Sequence, residues 1–446
     1  MTSTHVTRID AAAVSEDAYV FAYPLVVAEL LRIEMTSVPA VEPQTMRAPL
    51  NALVHARRRT GTGVMPSTGA SMLSTSAWLD LAAEPIVLSV PETHGRYYVM
   101  SMIDMWTNAV ASVGPRTTGT GPGAFAIGPA GADWSQLPAG VLPIVAPTRY
   151  VRIVGQTCIA RGEADTDVVA VQRGYGLTPL SRWPAIHETA AAPSTDADAA
   201  NRPSPAELVE KMDAQRFFGL AGRLVADNPP RTEDRRLMSR AQQIGLFTPC
   251  DDPWMGGDAA LQGAVERGTR RGSAMVRARA ASAMGETSNR WHVDYRRGDF
   301  ETDYLSRAGA ARTPLAEHLP ADALPAVTST DDNGRRLTGR HRYVLRFGVE
   351  GPPPVDGFWA LSTHAVIARS GQVQGTWVSL GDQDGLTVDG DGSLPIHIQH
   401  DRPPRRRQSN WLAAPEGHFR LMLRLHWARE EALAGRWTPP AVIRVD

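Results

Sequence analysis

The sequence predicts a mainly β protein, in which two β-sandwich domains of the jelly-roll kind are joined by a helical connector. Short extended runs separated by turn signals recur between residues 76 and 159, and a second series begins at residue 326. Strands at this spacing are typical of sandwiches and barrels. The segment between the two series has helix caps and helical spacing instead. We therefore expect an N-terminal β-rich domain over 1–182, a linker and helical connector over 183–325, and a C-terminal antiparallel sandwich over 326–446.

The N-terminal domain opens with a predicted helix over 14–35. Ser15 is its expected N-cap, and Pro24 is expected to kink or divide it. Turn signals at 92–95, 119–123 and 137–140 separate the strands that follow. The predicted strands are 76–81, 84–90, 97–103, 109–113, 125–127, 142–145 and 150–159. A helix over 165–175 follows them.

The connector begins with a linker rich in Ala, Pro, Ser, Thr and Asp over 183–205. Its predicted helices are 205–227, 232–245 and 258–284, and Ser204 caps the first of them. The C-terminal strands are predicted at 342–347, 357–368, 375–380, 394–400 and 419–427. The last one alternates apolar and polar residues with a period of two, which indicates a strand with one buried face.

Composition excludes several functional classes. A net charge of -1 over 446 residues is unlike the basic surface that nucleic-acid binding requires, so we expect no nucleic-acid partner. No run reaches the roughly 18 apolar residues of a membrane span, and the first residues lack the pattern of a secretory signal. Two cysteines cannot form a disulfide framework. We expect a soluble, cytoplasmic protein without a membrane partner.

Motifs for metals and cofactors are missing from the sequence. His397 and His400 are three residues apart on a predicted strand, so their side chains point to opposite faces and cannot chelate one ion without a bulge. No zinc-binding spacing, phosphate-binding loop or GxSxG elbow occurs. We therefore expect neither a metal site nor a cofactor.

Candidate functional residues cluster where a predicted strand enters a loop, over residues 95–125. Asp104, Trp106, Asn108 and Arg116 lie close together in sequence there, and scaffolds tend to display functional groups at strand ends. Asp104 and Arg116 could form a charge pair in a cleft with Trp106 as its apolar wall. Alternatively, the two residues could simply satisfy loop amides and each other, as loop-anchoring ion pairs do.

Two histidines in the C-terminal strands are further candidates. His364 and His426 could act as general acid or base because the pKa of histidine lies near neutrality, or they could be satisfied structural residues. The tryptophans of this half suit either a sandwich core or a sugar-binding row; they are Trp359, Trp377, Trp411, Trp427 and Trp437.

Several motifs, in order along nearly the whole chain, resemble a known pair of domain families. AYVFAYPLV, AWLDL, RYYVM, DxWTN, RTTGTG and GYGLTPL resemble the N-terminal family DUF1254. GFWALS, DGSLPIHIQH and SNWLAAPEGHFRLMLRLHWARE resemble its C-terminal partner, DUF1214. The resemblance implies two β-sandwich-like domains joined by helices, often assembled as homo-oligomers. It implies no particular reaction, because the paired families have no established general activity.

Departures from the family pattern concern polar residues. The usual NxDTLYSSAW is replaced over 69–78, with loss of an amide, a carboxylate and a phenol. Gln156 stands where the family has an arginine, and His364 and His426 stand where it has phenols. Such exchanges within a retained framework fit either a repurposed pocket or a decayed one.

Two functions follow as hypotheses. The first is an enzyme of specialised natural-product metabolism that acts on a small organic molecule, with acid/base chemistry in a cavity at the domain interface. Its expected catalytic residues are His364, His426 and Asp104. Its expected substrate-binding residues are Ser71, Ser74, Trp106, Asn108, Arg116, Gln156 and Trp359. The alternative is a non-catalytic carbohydrate-binding or assembly protein.

Overall fold

The computed structural model describes residues 10–56, 72–159, 162–184, 202–248, 259–282, 285–312, 318–366 and 378–446. These residues form nineteen strands in four sheets, with helices linking the β-rich parts. The prediction of a mainly β protein with a helical connector is confirmed. Among the described helices, none has both the length and the apolar character needed to cross a membrane.

The N-terminal β-rich domain contains two sheets that enclose one apolar core. One sheet has the order β1-β2-β8-β4-β5 and the other β7-β6-β3-β9. Neighbouring strands are antiparallel, except that β6 and β7 run parallel. The strands are β1 Val54–His55, β2 Met72–Asp80, β3 Ile86–Val90, β4 Tyr98–Asp104, β5 Ala109–Val113, β6 Gly123–Pro129, β7 Val141–Ala146, β8 Tyr150–Cys158 and β9 Gly176–Pro179.

The first helix, α1, is one continuous helix that contains Pro24 and is not divided by it. Asp10 caps it by accepting hydrogen bonds from the backbone N–H groups of Ala12 and Ala13, whereas the expected cap, Ser15, is buried inside the helix. The helices are α1 Ala11–Thr36, α2 Asp165–Arg173, α3 Pro205–Glu210, α4 Ala214–Asp227, α5 Arg235–Gln242, α6 Ala259–Ala281, α7 Tyr304–Ala311 and α8 Glu430–Leu433. The predicted helix over 205–227 is two helices, because Asp213 starts a second one by capping the N–H of Arg216.

Helix α1 is the centre of the helical layer, and most of its residues are buried on every side. Helix α6 approaches it very closely at Gly268, where an added Cβ would lie 2.3 Å from the Ala12 carbonyl oxygen. The core of this layer also includes Trp78 and Trp106 from the N-terminal β-rich domain. The helices and that domain therefore share a continuous apolar core.

The C-terminal β-rich domain also has two sheets around one core, with orders β10-β11-β12-β18-β14-β15 and β17-β16-β13-β19. Its strands are β10 Glu286–Ser288, β11 Trp291–Val293, β12 Ala323–Thr328, β13 Tyr343–Phe347, β14 Val355–Ala365, β15 Val378–Gly381, β16 Leu394–Gln399, β17 Trp411–Ala413, β18 Phe419–Ala428 and β19 Val442–Arg444. The first two, and the start of β12, lie in the segment expected to be connector. Pairing is antiparallel as predicted, except that β16 and β17 run parallel.

Candidate functional site

The two β-rich domains meet through faces of β4 and β18. Strand alternation sends Met100 and Met102 of β4 into the N-terminal core and leaves the side chain of Ser101 on the opposite face. In β18, Leu423 and Leu425 enter the C-terminal core, so His426 points the other way. We call the residues Tyr97, Ser101, Gln156, His318, Phe358 and His426 the interdomain layer.

An aromatic contact forms one end of the interdomain layer. The His426 ring stacks on Phe358 with centroids 4.2 Å apart, and Tyr97 approaches His426 edge-on at 5.4 Å. The Tyr97 hydroxyl donates a 2.6 Å hydrogen bond to the Asp322 carbonyl oxygen. His426 is fully buried, and burial, reinforced by the charge of Arg424, lowers its pKa well below the usual value. The imidazole is therefore neutral at neutral pH.

A serine–histidine pair lies further along β4. Ser101 Oγ is 2.8 Å from His318 Nδ1, and both residues are buried. Burial lowers the pKa of His318 to about 4. Sequence reasoning missed this pair because the two residues are far apart in the chain and His318 lies outside any recognisable strand. Only the docking of the domains brings them together.

Gln156 lies next to this pair in the sheet. It is in register with Val99 of β4 on one side and with Ser74 of β2 on the other, so these side chains share one face. Ser71, also expected in the pocket, falls outside the described residues. The structure thus brings Ser74 and Gln156 to the sheet face that meets the C-terminal domain.

Several buried polar atoms in and beside the interdomain layer have no hydrogen-bond partner in the described part of the chain. They are both ring nitrogens of His426, His318 Nε2, Gln156 Oε1 and Ser76 Oγ. Buried polar groups in proteins are nearly always satisfied by protein, water or ligand. A cluster of such groups at a domain interface therefore offers hydrogen bonds to water or to another polar molecule.

His364 shares the sheet face of His426 but does not meet it. His426 pairs in register with Phe358, six positions before His364, which is roughly 20 Å along a strand. Ser362 Oγ lies 2.7 Å from His364 Nε2, and burial lowers the pKa of His364 to about 2. The two histidines therefore cannot act together on one small molecule.

Arg116 belongs to the edge of the interdomain layer, and its partner is not Asp104. Its Nε and Nη2 bind the two carboxylate oxygens of Asp322 at 2.7 and 3.1 Å. The hypothesis of an Asp104–Arg116 charge pair is wrong. Asp104 ends β4 at the side away from Tyr97, and Arg116 follows Gly114, which lies against Tyr98.

Asp104, Trp106 and Asn108 form a separate cluster beneath the helical layer. Asp104 accepts hydrogen bonds from the backbone N–H of Asn108 at 2.8 Å and from its side-chain amide. Burial raises the pKa of Asp104, although the bonds from Asn108 oppose this. The Trp106 ring packs 4.7 Å from Phe21 of α1. These three predicted site residues are close together, at the end of β4 that is opposite to Tyr97, the residue that contacts His426.

The tryptophans do not form a sugar-binding row in the described residues. Trp359 is 1% exposed and packs against Phe347 in the C-terminal core, on the face of β14 opposite His364. Trp411, Trp427 and Trp437 are half-buried, and Trp377 falls outside the described residues. Trp359 therefore lies outside the interdomain layer.

No metal-binding arrangement stands out in the described ranges, where no group of three or more His, Cys, Asp or Glu side chains could hold an ion. Chemically, the interdomain layer offers hydrogen-bond donors and acceptors on neutral imidazoles, an amide and hydroxyls. A neutral imidazole donates at one nitrogen and accepts at the other. Such a set suits an uncharged hydroxyl- or carbonyl-bearing molecule beside an aromatic wall.

The fold and this interface define a class of two-domain, β-rich proteins with an intervening helical layer. Residues 50–179 match the family model described as Protein of unknown function (DUF1254), and residues 322–430 match Protein of unknown function (DUF1214). The chain thus resembles these paired families, with DUF1254 at the N-terminal and DUF1214 at the C-terminal position, as its motifs indicate.

Comparison with solved structures supports the fold. The chain is similar to the VPA0106 protein from Vibrio parahaemolyticus, with 22% identity and a TM-score of 0.70 over 98% of this chain and 100% of that one. A second match, to an uncharacterised protein from Burkholderia cenocepacia, has 11% identity and a TM-score of only 0.42 over 100% of this chain and 90% of the other, and it does not bear on the fold. No curated protein matches the chain.

Proposed function

We propose that the protein is an enzyme that binds a small polar organic molecule in the interdomain layer and exchanges a proton with it through His426. The observation that carries this proposal is the fully buried His426 ring, for which no described residue supplies a hydrogen-bond partner at either nitrogen. A buried imidazole left unsatisfied costs about 1–3 kcal/mol per polar group. A polar ligand that binds at these nitrogens would remove this cost.

Other polar groups support a small-molecule site at the same place. His318 Nε2 and Gln156 Oε1 are also buried without a partner among the described residues. Ser101 Oγ already engages His318 Nδ1, so the hydrogen bond fixes the orientation of the ring and Nε2 remains for a ligand. Gln156 and His426 are also positions at which the chain departs from the family pattern, which fits a pocket adapted to its own ligand.

Depressed histidine pKa values limit the chemistry. A neutral imidazole is a weak base when its pKa is low, so His426 and His318 act first as hydrogen-bond donors and acceptors. Proton transfer requires a ligand whose bound form stabilises the imidazolium, for example one that develops negative charge on oxygen. Asp104, His364 and Trp359 have no part in this mechanism, because they lie elsewhere in the molecule.

A comparison of the wild type with His426→Phe tests the proposal. Phenylalanine keeps the stacking on Phe358 and removes both unsatisfied nitrogens, so we expect the variant to fold and to be more stable by about 1–3 kcal/mol. Each protein would be dialysed against a mixture of small organic molecules, and the retained compounds identified by mass spectrometry. His94→Phe, at an exposed position, is the matched control.

We expect the wild type and the control to retain and convert a compound that His426→Phe does not retain. Conversion over time supports an enzyme, whereas recovery of the unchanged compound supports the alternative of a non-catalytic binding protein. Equal retention by all three proteins would contradict a site at His426. The burial of Trp359 removes one support for the carbohydrate-binding alternative, which rested on a row of exposed tryptophans.

Three broader expectations belong to the same proposal. We propose a role in specialised metabolism, a cytoplasmic location and assembly as a homo-oligomer, the last because the resemblance to the paired families implies it. Light scattering after size-exclusion chromatography tests the assembly. A single monomeric species over the accessible concentration range would refute it.

A further inference from the structure

A second unsatisfied polar group lies beneath the helical layer, away from the interdomain layer. Arg307 of α7 is only 1% exposed, and neither its Nε nor its Nη2 has a hydrogen-bond partner in the described part of the chain. Burial lowers the pKa of this guanidinium, which nonetheless stays charged because arginine is not deprotonated in proteins. A buried charge whose donors are unsatisfied is costly unless another molecule completes its hydrogen bonds.

Three aromatic rings surround the Arg307 guanidinium. Its central carbon lies 5.4 Å from the ring centroid of Phe21, 5.6 Å from that of Trp106 and 5.2 Å from that of Tyr304. Such cation–π contacts offset part of the desolvation cost. The rings cannot serve as in-plane acceptors for the Nε–H and Nη2–H groups, so this edge of the guanidinium is left for another partner.

The nearby carboxylates are already engaged. The Asp234 oxygens accept from the Tyr304 hydroxyl at 2.8 Å and from the Arg231 backbone N–H at 2.9 Å. The Asp104 oxygens accept from Asn108. Both acids interact with Arg307 only through longer-range electrostatics. Their charges balance the buried cation without satisfying its donors.

Other arginines of this molecule show what the Nε–Nη2 edge binds. Arg32 holds the two Glu29 oxygens at 2.7 and 2.6 Å, and Arg149 holds those of Asp80 at 2.9 Å each. Arg116 binds Asp322 in the same way. The geometry matches a planar carboxylate, with two parallel N–H···O bonds.

Further unsatisfied atoms belong to the same cluster. Asn108 Oδ1, which is on the side chain that holds Asp104, has no partner among the described residues, and neither has Thr107 Oγ1. Asn228, whose carbonyl oxygen accepts from Trp106 Nε1 at 3.2 Å, likewise has a buried Oδ1 without a partner there. Amide oxygens accept hydrogen bonds, so a ligand at this place would carry a hydroxyl as well as a carboxylate.

We propose that the Nε–Nη2 edge of Arg307 binds the carboxylate of a small hydroxy acid between the helical layer and the N-terminal β-rich domain. The aromatic rings form the walls of the site, and Asn108 and Asn228 accept from the hydroxyl of the acid. This site uses other residues than the interdomain layer, and Trp106 and Asn108 follow the end of β4 that is opposite to Tyr97.

Thermal unfolding of the full-length protein with simple acids tests the proposal. The probes are acetate and lactate as sodium salts, with sodium chloride at equal ionic strength as the reference. We expect both acids to raise Tm in a saturable manner, and lactate to bind more tightly than acetate because of its hydroxyl. Chloride should not reproduce the effect, since it cannot form two parallel hydrogen bonds.

Two variants assign the effect to Arg307. Arg307→Lys keeps the charge and loses the planar edge, so its lactate affinity should fall by about tenfold or more. Arg307→Met keeps a similar stem and should abolish binding. Arg32→Lys is the matched control, because its edge already holds Glu29, and it should bind lactate like the wild type.

If Arg307→Met does not fold, the comparison of Arg307→Lys with Arg32→Lys decides the matter. Equal lactate affinity in those two variants would overturn the proposal. It would also be overturned if neither acid raised the Tm of the wild type above the chloride reference, because water would then satisfy the guanidinium. Neither result bears on His426, so failure here is distinguishable from failure of the proposed function.

Discussion

Acid should destabilise the protein through His318, and the structure sets both the direction and the size of the effect. An unfolded histidine has a pKa near 6.5, whereas burial lowers the pKa of His318 in the folded protein to about 4. Between these values the unfolded state binds more protons than the folded state. The free energy of unfolding contributed by this group is therefore fully present above pH 6.5 and is lost as pH falls toward 4.

The pKa values of His318 in the folded and unfolded states define the size of the change in unfolding free energy. From pH 7 to pH 5, the difference in proton binding lowers the free energy of unfolding by about 2 kcal/mol, and the loss reaches about 3 kcal/mol below pH 4. His318→Asn removes the titrating ring, and an asparagine amide can occupy the position of Nδ1 beside Ser101. The gap in unfolding free energy between wild type and variant should therefore change by about 2 kcal/mol over that pH interval.

Urea denaturation followed by tryptophan fluorescence at pH 7, 6 and 5 measures this gap. His55 and His364 titrate in both proteins, and the charge of His318 does not shift the pKa of either, so their contributions cancel in the difference. His94→Asn removes an exposed imidazole and controls for the loss of a ring as such. Parallel curves for wild type and His318→Asn would refute the view that His318 is buried and neutral between the domains.

Two further substitutions test packing, one at the domain interface and one inside the N-terminal β-rich domain. Asp322→Asn breaks the paired hydrogen bonds to Arg116 at the domain interface and should lower the free energy of unfolding by about 2 kcal/mol; an unchanged urea midpoint would show that the ion pair contributes nothing. Gly155→Ala in β8 places a Cβ 2.3 Å from Met100 Sδ, and overpacking of this kind costs about 1–3 kcal/mol. A variant with an unaltered Tm would show that the methionine moves aside freely.

Local sequence predicted the positions of some candidate site residues better than those of others. Gln156 is on a predicted strand, whereas Ser74 lies before the predicted strand 76–81 and belongs to β2 only because that strand begins at Met72. Both side chains are on the sheet face that meets the other domain. Asp104, Trp106 and Asn108 were grouped correctly because they are neighbours in sequence. Their separation from Arg116 was not predictable from the sequence. The two ends of β4 are roughly 20 Å apart, and the path of the following loop decides which end Arg116 lies near.

Contacts between residues far apart in the chain could not be predicted from local sequence patterns. Ser101 and His318 are hydrogen-bonded, and Arg307 lies among Phe21, Trp106 and Tyr304, yet none of these groupings has a sequence signature. His318 precedes a strand, and Arg307 is one of many arginines on helices. Their burial depends on which elements pack against them.

The sequence by itself determined the β-rich class and the helical block, because strand alternation, turn residues and helix caps act over a few neighbouring residues. The order of the two families followed separately from the motifs that resemble them. Only the tertiary structure decided which polar side chains are buried together and left without partners. Desolvation depends on packing between distant segments, and it is desolvation that distinguishes His426, His318 and Arg307 from the other histidines and arginines of the chain.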